Sequence, residues 1–133
     1  MKVFVDGAAN MHIKRCGIGC VFDNGEIISE EIDYGTNNDA EYIGLIRALE
    51  HAIETGIDEL DVYMDSMLVV KQVNREWKIN YPHLRVHNNR VQELKKKVKR
   101  FTFPLKYIVI SLISLLILGS SYYIINGIIK SSK

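Results

Sequence analysis

Cysteine, proline and tryptophan are scarce in these 133 residues, numbering two, two and one. Two cysteines exclude a disulfide scaffold. Cys16 and Cys20 lie four apart in a segment that reads as extended, which sets their Cα atoms roughly 13 Å apart, beyond bridging distance. They lack the C-x-x-C spacing, and His12 cannot converge with them along a strand, so they read as small buried hydrophobes rather than metal or redox ligands. No secretory leader precedes the strand-like residues 1–5, which predicts a reducing cytosol for the bulk of the chain. Carboxylates are absent after Glu93, a deficit hidden by the formal net charge of +1. Residues 1–84 hold 7 Lys/Arg against 15 Asp/Glu, whereas residues 85–106 hold 8 against Glu93 alone. An acidic half gathers cations and a basic segment attracts anions, a pairing that suits nucleic acid. At 47% hydrophobic and 25% charged, the chain is no disordered polymer, and its length suffices for one core but not two.

Hydrophobic periodicity supplies the order of elements. Residues 2–6 alternate as a short strand with Asp6 at its end. Strands at 17–23 and 26–34 flank Asn24-Gly25, a pair that favours positive φ at both centres of a tight hairpin turn, so the first three strands form an antiparallel meander. Tyr42, Leu45, Ile46, Leu49, Ala52 and Ile53 follow a helical stripe that Asn38 or Asp39 can cap and Gly56 can end. Leu60, Val62 and Met64 alternate towards Asp65 as a fourth strand, parallel to the first because a helix makes the crossover. Helices at 66–74 and 83–100 complete the readable part. The class is α/β, a mixed sheet with helices packed on it. No internal repeat is present. Gly17-Ile18-Gly19 is too short for a dinucleotide fingerprint and signals close packing or a bulge.

In such sheets ligands collect beyond the carboxyl ends of parallel strands, where Asp6 and Asp65 are expected. Glu41, in the first turn of the first helix, can face both. Three anions within a few ångströms are tolerable only if protonated or neutralised, and an all-oxygen set suits Mg²⁺ or Mn²⁺, one ion or two. A two-ion site activates water and stabilises the leaving oxygen of a phosphodiester. Each acid also has a plain structural reading: Asp6 in a turn, Glu41 solvated on a helix, Asp65 as a cap. Trp77 with Lys78, and Tyr81 near them, can lie along a nucleic-acid strand, or Trp77 can cover a sheet edge. The basic run at 95–100 is a solvated helix face with a secondary attraction for phosphate or anionic lipid. His83 and His87 stand four apart with no acid between them, which is not the zinc protease motif, and are expected to be ordinary surface or packing residues.

Three runs together resemble the type 1 ribonuclease H family, in its compact branch without a basic handle: Val5-Asp6-Gly7-Ala8-Ala9-Asn10, Gly35-Thr36-Asn37-Asn38-Asp39-Ala40-Glu41-Tyr42 and Tyr63-Met64-Asp65-Ser66-Met67-Leu68-Val69-Val70. The resemblance covers residues 1–103. It implies a ribonuclease H-like fold and metal-dependent hydrolysis of the RNA strand of RNA–DNA hybrids, leaving a 5′-phosphate and a 3′-hydroxyl. By this resemblance Asp6, Glu41 and Asp65 are three of four metal-binding catalytic acids. Gly7 and Ala8 match the backbone that approaches ribose 2′-hydroxyls, and Asn10, Thr36 and Asn37 match nucleic-acid contacts. Met67 stands where a glutamine is common. The implied partner is an RNA–DNA hybrid, with no obligate protein partner.

The resemblance stops after residue 103. The Ala-Asp that would bring the fourth acid is absent, and Ile, Ser, Leu and Tyr supply 21 of the last 27 residues. Residues 104–133 therefore read as an apolar tail. Three accounts stand open: a frameshifted segment; a transmembrane helix at 107–129; or a fifth strand at 105–110 followed by an apolar helix at 111–129. The 23 uncharged residues at 107–129 would reach about 35 Å as a helix, and the basic run before them would keep residues 1–106 in the cytoplasm. Each account removes the fourth acid and predicts impaired activity. The competing functional reading is a membrane-tethered nucleic-acid-binding protein, catalytically weak or inactive.

Overall fold

The computed structural model describes residues 1–33 and 35–104. Their elements are β1 (Lys2–Asn10), β2 (Arg15–Phe22), β3 (Ile27–Ile32), α1 (Asn37–Glu54), β4 (Glu59–Tyr63), α2 (Met67–Val73), α3 (Pro82–Lys95) and β5 (Arg100–Thr102). The strands form one sheet in the order β3-β2-β1-β4-β5. Pairing is antiparallel between β1 and β2 and between β2 and β3, and parallel between β1 and β4 and between β4 and β5. The expected meander with a parallel strand added beside β1 is what forms.

Several boundaries move because pairing partners decide them. β1 continues to Asn10, four residues beyond expectation, since β2 accompanies it all the way to Asn10 opposite Arg15. Asp6 is therefore within a strand rather than at its end. The β2–β3 turn differs too: only Gly25 takes positive φ (92°), while Phe22 N–H donates to Glu26 O and Gly25 N–H donates to Phe22 O. This is a three-residue loop closed by a left-handed glycine, not a turn with two positive centres. α3 ends at Lys95, short of residue 100, because the Lys99 and Arg100 N–H groups donate to Asp58 O and draw the chain into β5 beside β4. Among the described residues the fifth strand is Arg100–Thr102; residues 105–110, where a fifth strand was expected, and the expected helix at 111–129 lie outside them.

α1 starts at a Thr36 cap, not at Asn38 or Asp39. Thr36 Oγ1 accepts the Asp39 N–H and Asp39 Oδ2 accepts the Thr36 N–H, a reciprocal capping box. At the other end Gly56 adopts φ +77°, with its N–H on Ile53 O and the Ile57 N–H on Ala52 O, which satisfies the last carbonyls. The core lies between α1 and the sheet. Tyr42, Leu45, Leu49 and Ala52 of α1 meet Val3, Val5, Phe22, Leu60 and Val62, and Leu84, Val91 and Leu94 of α3 close the outer side.

The tail-anchored, cytoplasm-facing placement is not upheld. Among the described residues no helix is long and apolar enough to cross a membrane. The longest, α1, has 18 residues but carries Asp39, Glu41, Arg47, Glu50 and Glu54. Residues 107–129, on which the anchor was expected, lie outside the described residues. The cytoplasmic assignment falls as well, since Cys16 and Cys20 are buried on one strand too far apart to pair, and remain unpaired whatever the compartment.

Candidate active site

Strand register brings the first two acids together. Parallel pairing of β1 with β4 ends at Phe4 opposite Tyr63. Asp6 and Asp65 each stand two residues further along, so equal offsets leave them side by side at the mouth of the parallel pair, where neighbouring strands run about 4.8 Å apart. β1 continues with β2 on its other flank, which leaves the β4 side of Asp6 open. Glu41 arrives from α1, and Gly7 permits its approach: a Cβ on Gly7 would lie 2.5 Å from the Ala40 carbonyl carbon and 2.8 Å from the Glu41 nitrogen. Only glycine lets the helix press so closely on the strand. One ligand oxygen from each of Asp6, Glu41 and Asp65 lies within 4.8 Å of the others. The plain structural readings of these acids fail. Ser66, not Asp65, caps α2, accepting the Val69 N–H at 3.3 Å. Thr36 and Asp39 cap α1, and Glu41 is only partly exposed and buries Oε2 in the interior.

The electrostatics are those of an overcharged site. Burial, then the charge of Asp65, lifts the Asp6 carboxyl from 3.8 to about 6, against a Gly7 N–H donating to Oδ1 at 2.9 Å. Burial and the charges of Asp6 and Asp65 push Glu41 well above the ordinary carboxylate range, and the same Gly7 N–H reaches its Oε1 at only 3.4 Å. Glu41 Oε2 is buried without a hydrogen-bond partner. A native interior rarely leaves such an oxygen orphaned unless something else completes it. Three clustered carboxylates, two of them sharing the single Gly7 N–H, fit a hard divalent cation, and the set can coordinate one.

A family model described as reverse transcriptase-like matches residues 4–107. The chain belongs to this family, within the RNase H-like superfamily. Ribonuclease HI of Halobacterium salinarum is 38% identical over 99 residues, 71% of this chain and 50% of that protein. The crystal structure of RNase H1 from the same archaeon superimposes with a TM-score of 0.68 at 30% identity, covering 83% of this chain and 88% of that one. LC11-RNase H1, of a compost metagenome and solved in complex with an RNA/DNA hybrid, gives 0.68 at 30% identity, covering 79% and 84%. A bifunctional protein of Mycobacterium tuberculosis is 35% identical over 111 residues, 77% of this chain. The chain spans 30% of the mycobacterial protein and 50% of the halobacterial one, half or less of the curated relatives it matches.

The remaining expected residues of this RNase H-like chain fall into two groups. Gly7, Ala8, Asn10, Thr36 and Asn37 gather where β1 meets the start of α1. Asn37 Oδ1 accepts the Ala9 N–H at 2.8 Å, and Asn10 Oδ1 accepts the His12 N–H at 3.0 Å, so both amides brace the backbone. Trp77 and Lys78 stand elsewhere, exposed in the α2–α3 connection. Trp77 is 42% exposed and lines a groove of about 430 Å³ with Leu68, Gln72 and Tyr81, to which none of the three acids contributes. Beneath the groove Tyr42 donates to Gln72 Oε1 at 2.7 Å, Asn88 donates to the Tyr42 hydroxyl at 3.2 Å, and Gln72 Nε2 donates to the Lys78 carbonyl at 3.4 Å.

Sequence reasoning passed over one cluster. His83 Nδ1 and His87 Nε2 lie 2.8 and 3.0 Å from Asp39 Oδ1, so these histidines are not ordinary surface residues. Their four-residue spacing was legible. The acid was not, because it comes from another helix more than forty positions earlier.

Proposed function

We propose that this chain is a metal-dependent endonuclease that hydrolyses the RNA strand of RNA–DNA hybrids, with residues 1–103 as the unit that carries the activity and 104–133 as a tail apart from it. The observation that carries the reading is the convergence of Asp6, Glu41 and Asp65 around a buried carboxylate oxygen with no partner, in a chain of RNase H-like descent. The relative solved with an RNA/DNA hybrid supports the same substrate class. Mg²⁺ or Mn²⁺, as one ion or two, suits the all-oxygen donor set. When bound, such an ion supplies positive charge that neutralises the acids and polarises a phosphodiester oxygen.

The chain's own residues do the rest. Asp6, Glu41 and Asp65 would hold the ion, whose charge would offset the burial and the repulsion from Asp6 and Asp65 that push the Glu41 carboxyl above the ordinary carboxylate range. The Gly7 N–H orients Asp6 and Glu41 together. Gly7 and Ala8 offer small-residue backbone for close approach to a ribose 2′-hydroxyl, the group that separates RNA from DNA. Asn10, Thr36 and Asn37 border the same surface, and Trp77 with Lys78 offer a stacking face and a cation to the second strand. With no Asp or Glu after Glu93, three acids serve where the family resemblance implies four, and the rate falls accordingly.

The test is cleavage of a labelled hybrid beside RNA and DNA duplexes of the same sequence, in Mg²⁺ or Mn²⁺, with Asp6→Asn as control. Cuts in the RNA strand of the hybrid alone, abolished by EDTA and by the substitution, support the assignment. Equal cleavage of all three duplexes, or cleavage untouched by Asp6→Asn, refutes it.

A further inference from the structure

We propose that Asp39, His83 and His87 form a second metal site, for a borderline divalent transition ion of the zinc type, distinct from the carboxylate trio. The two imidazoles project from one face of α3, one turn apart, and both reach the same oxygen of an acid on α1. Two nitrogens and one carboxylate oxygen are a donor set that zinc-type ions take and Mg²⁺ does not favour, because imidazole is too soft a ligand for the smaller, harder cation.

The carboxylate donor is held from behind, as metal ligands generally are. Asp39 Oδ2 accepts the Thr36 N–H and the Thr36 hydroxyl, at 2.8 and 2.7 Å, which leaves Oδ1 to the histidines. The His87 ring stacks on the Tyr42 ring with centroids 5.8 Å apart, and the His83 ring meets the Tyr81 ring at a 51° tilt with centroids 5.8 Å apart. A cavity of about 480 Å³ opens beside the three, bordered by Asp33, Thr36 and Ile43, with room for water to complete a coordination shell. Without an ion each ring nitrogen faces Asp39 Oδ1, so binding requires the rings to turn until both nitrogens and the oxygen face a common point. The ion then takes the place of the hydrogen-bond protons, which pass to the other nitrogen of each ring or to solvent, and ties the start of α1 to α3. The carboxylate trio differs in both respects: it has no nitrogen donor, and its acids come from β1, α1 and the β4–α2 connection.

Co²⁺ is the probe, because its visible absorption reports coordination by nitrogen ligands. The full chain is titrated with Co²⁺ in a large excess of Mg²⁺, which occupies the trio. The expected result is one Co²⁺ per chain, displaced by Zn²⁺, with affinity at least tenfold lower in His83→Ala and His87→Ala and unchanged in Asp6→Asn. Selective paramagnetic broadening of the His83 and His87 ring resonances in the unmodified protein gives the same answer without reliance on a folded variant. No Co²⁺ retained under Mg²⁺, uptake undiminished in the double histidine variant, or broadening that spares both rings overturns the proposal. Loss of uptake in Asp6→Asn assigns the ion to the trio and overturns it equally. Because no step reads hybrid cleavage, the outcome is independent of the nuclease assignment.

Discussion

Replacing Asp6 by Asn should stabilise this protein when no divalent ion is present, the opposite of what removing an ordinary buried ionic group does. The Asp6 carboxyl is lifted from 3.8 to about 6 by burial first and by Asp65 second. A carboxyl raised in the folded state supports folding fully below its unfolded value and loses that support as pH climbs through the folded one. At roughly 1.4 kcal/mol per pH unit, the folded state has lost about 3 kcal/mol once pH exceeds 6. Asparagine keeps the oxygen that accepts the Gly7 N–H at 2.9 Å while removing the charge. In EDTA at pH 7.5 the variant should therefore melt roughly 10 °C above the parent, for a domain of this size. The gain should shrink through pH 6 to 4 and vanish below 3.8. Mg²⁺ should reverse the order: an ion at about a thousand times its Kd adds about 4.1 kcal/mol to the parent, and little to a variant that has lost a ligand. Thermal unfolding followed by circular dichroism, from pH 4 to 8 with EDTA or Mg²⁺, measures all of this. A variant that melts at or below the parent in EDTA at pH 7.5, or that responds to Mg²⁺ as the parent does, refutes the account of the overcharged site.

Gly7→Ala places a methyl 2.5 Å from the Ala40 carbonyl carbon, backbone that cannot yield without moving α1; urea unfolding should show a loss of at least about 2 kcal/mol, and Mg²⁺ should no longer raise the melting temperature. Trp77→Ala should weaken hybrid binding by roughly 5- to 150-fold, the range of about 1–3 kcal/mol for one stacked base, and leave the Mg²⁺ response intact; fluorescence anisotropy with a labelled hybrid reads the first and thermal melts the second. Although burial works against it, hydrogen bonds from His83, Thr36 and His87 bring the Asp39 carboxyl down to about 2, so its contribution is complete above 3.8 and disappears as pH falls to 2. Asp39→Asn should accordingly flatten the acid limb of melting temperature against pH between 4 and 2, and an unchanged limb would show that the clasp adds nothing to stability.

Much of this architecture is written in short-range pattern. The alternation around Val3 and Val5, the stripe from Tyr42 to Ile53 and the punctuation at Gly25 and Gly56 are local signals, and local signals suffice for the kind and order of elements. The three acids were legible for a related reason: each sits inside a short local motif, and the motifs occur in register along the chain. Boundaries set by a distant partner were not legible. β1 runs on to Asn10 because Arg15 pairs there, and α3 yields to β5 because Asp58 O captures the amides of Lys99 and Arg100.

The sequence by itself therefore determined an α/β chain with a three-strand meander, a parallel crossover and three acids in family register, because periodicity, turn chemistry and motif spacing act over a few residues at a time. Only the tertiary structure decided that Glu41 Oε2 is buried without a partner, that Asp6 and Asp65 share one register offset, and that Asp39 of α1 joins His83 and His87 of α3. Those facts depend on how closely α1 is pressed onto β1 at Gly7 and on α3 packing against it, and contact between segments forty residues apart follows from the balance of the whole core rather than from any stretch of chain.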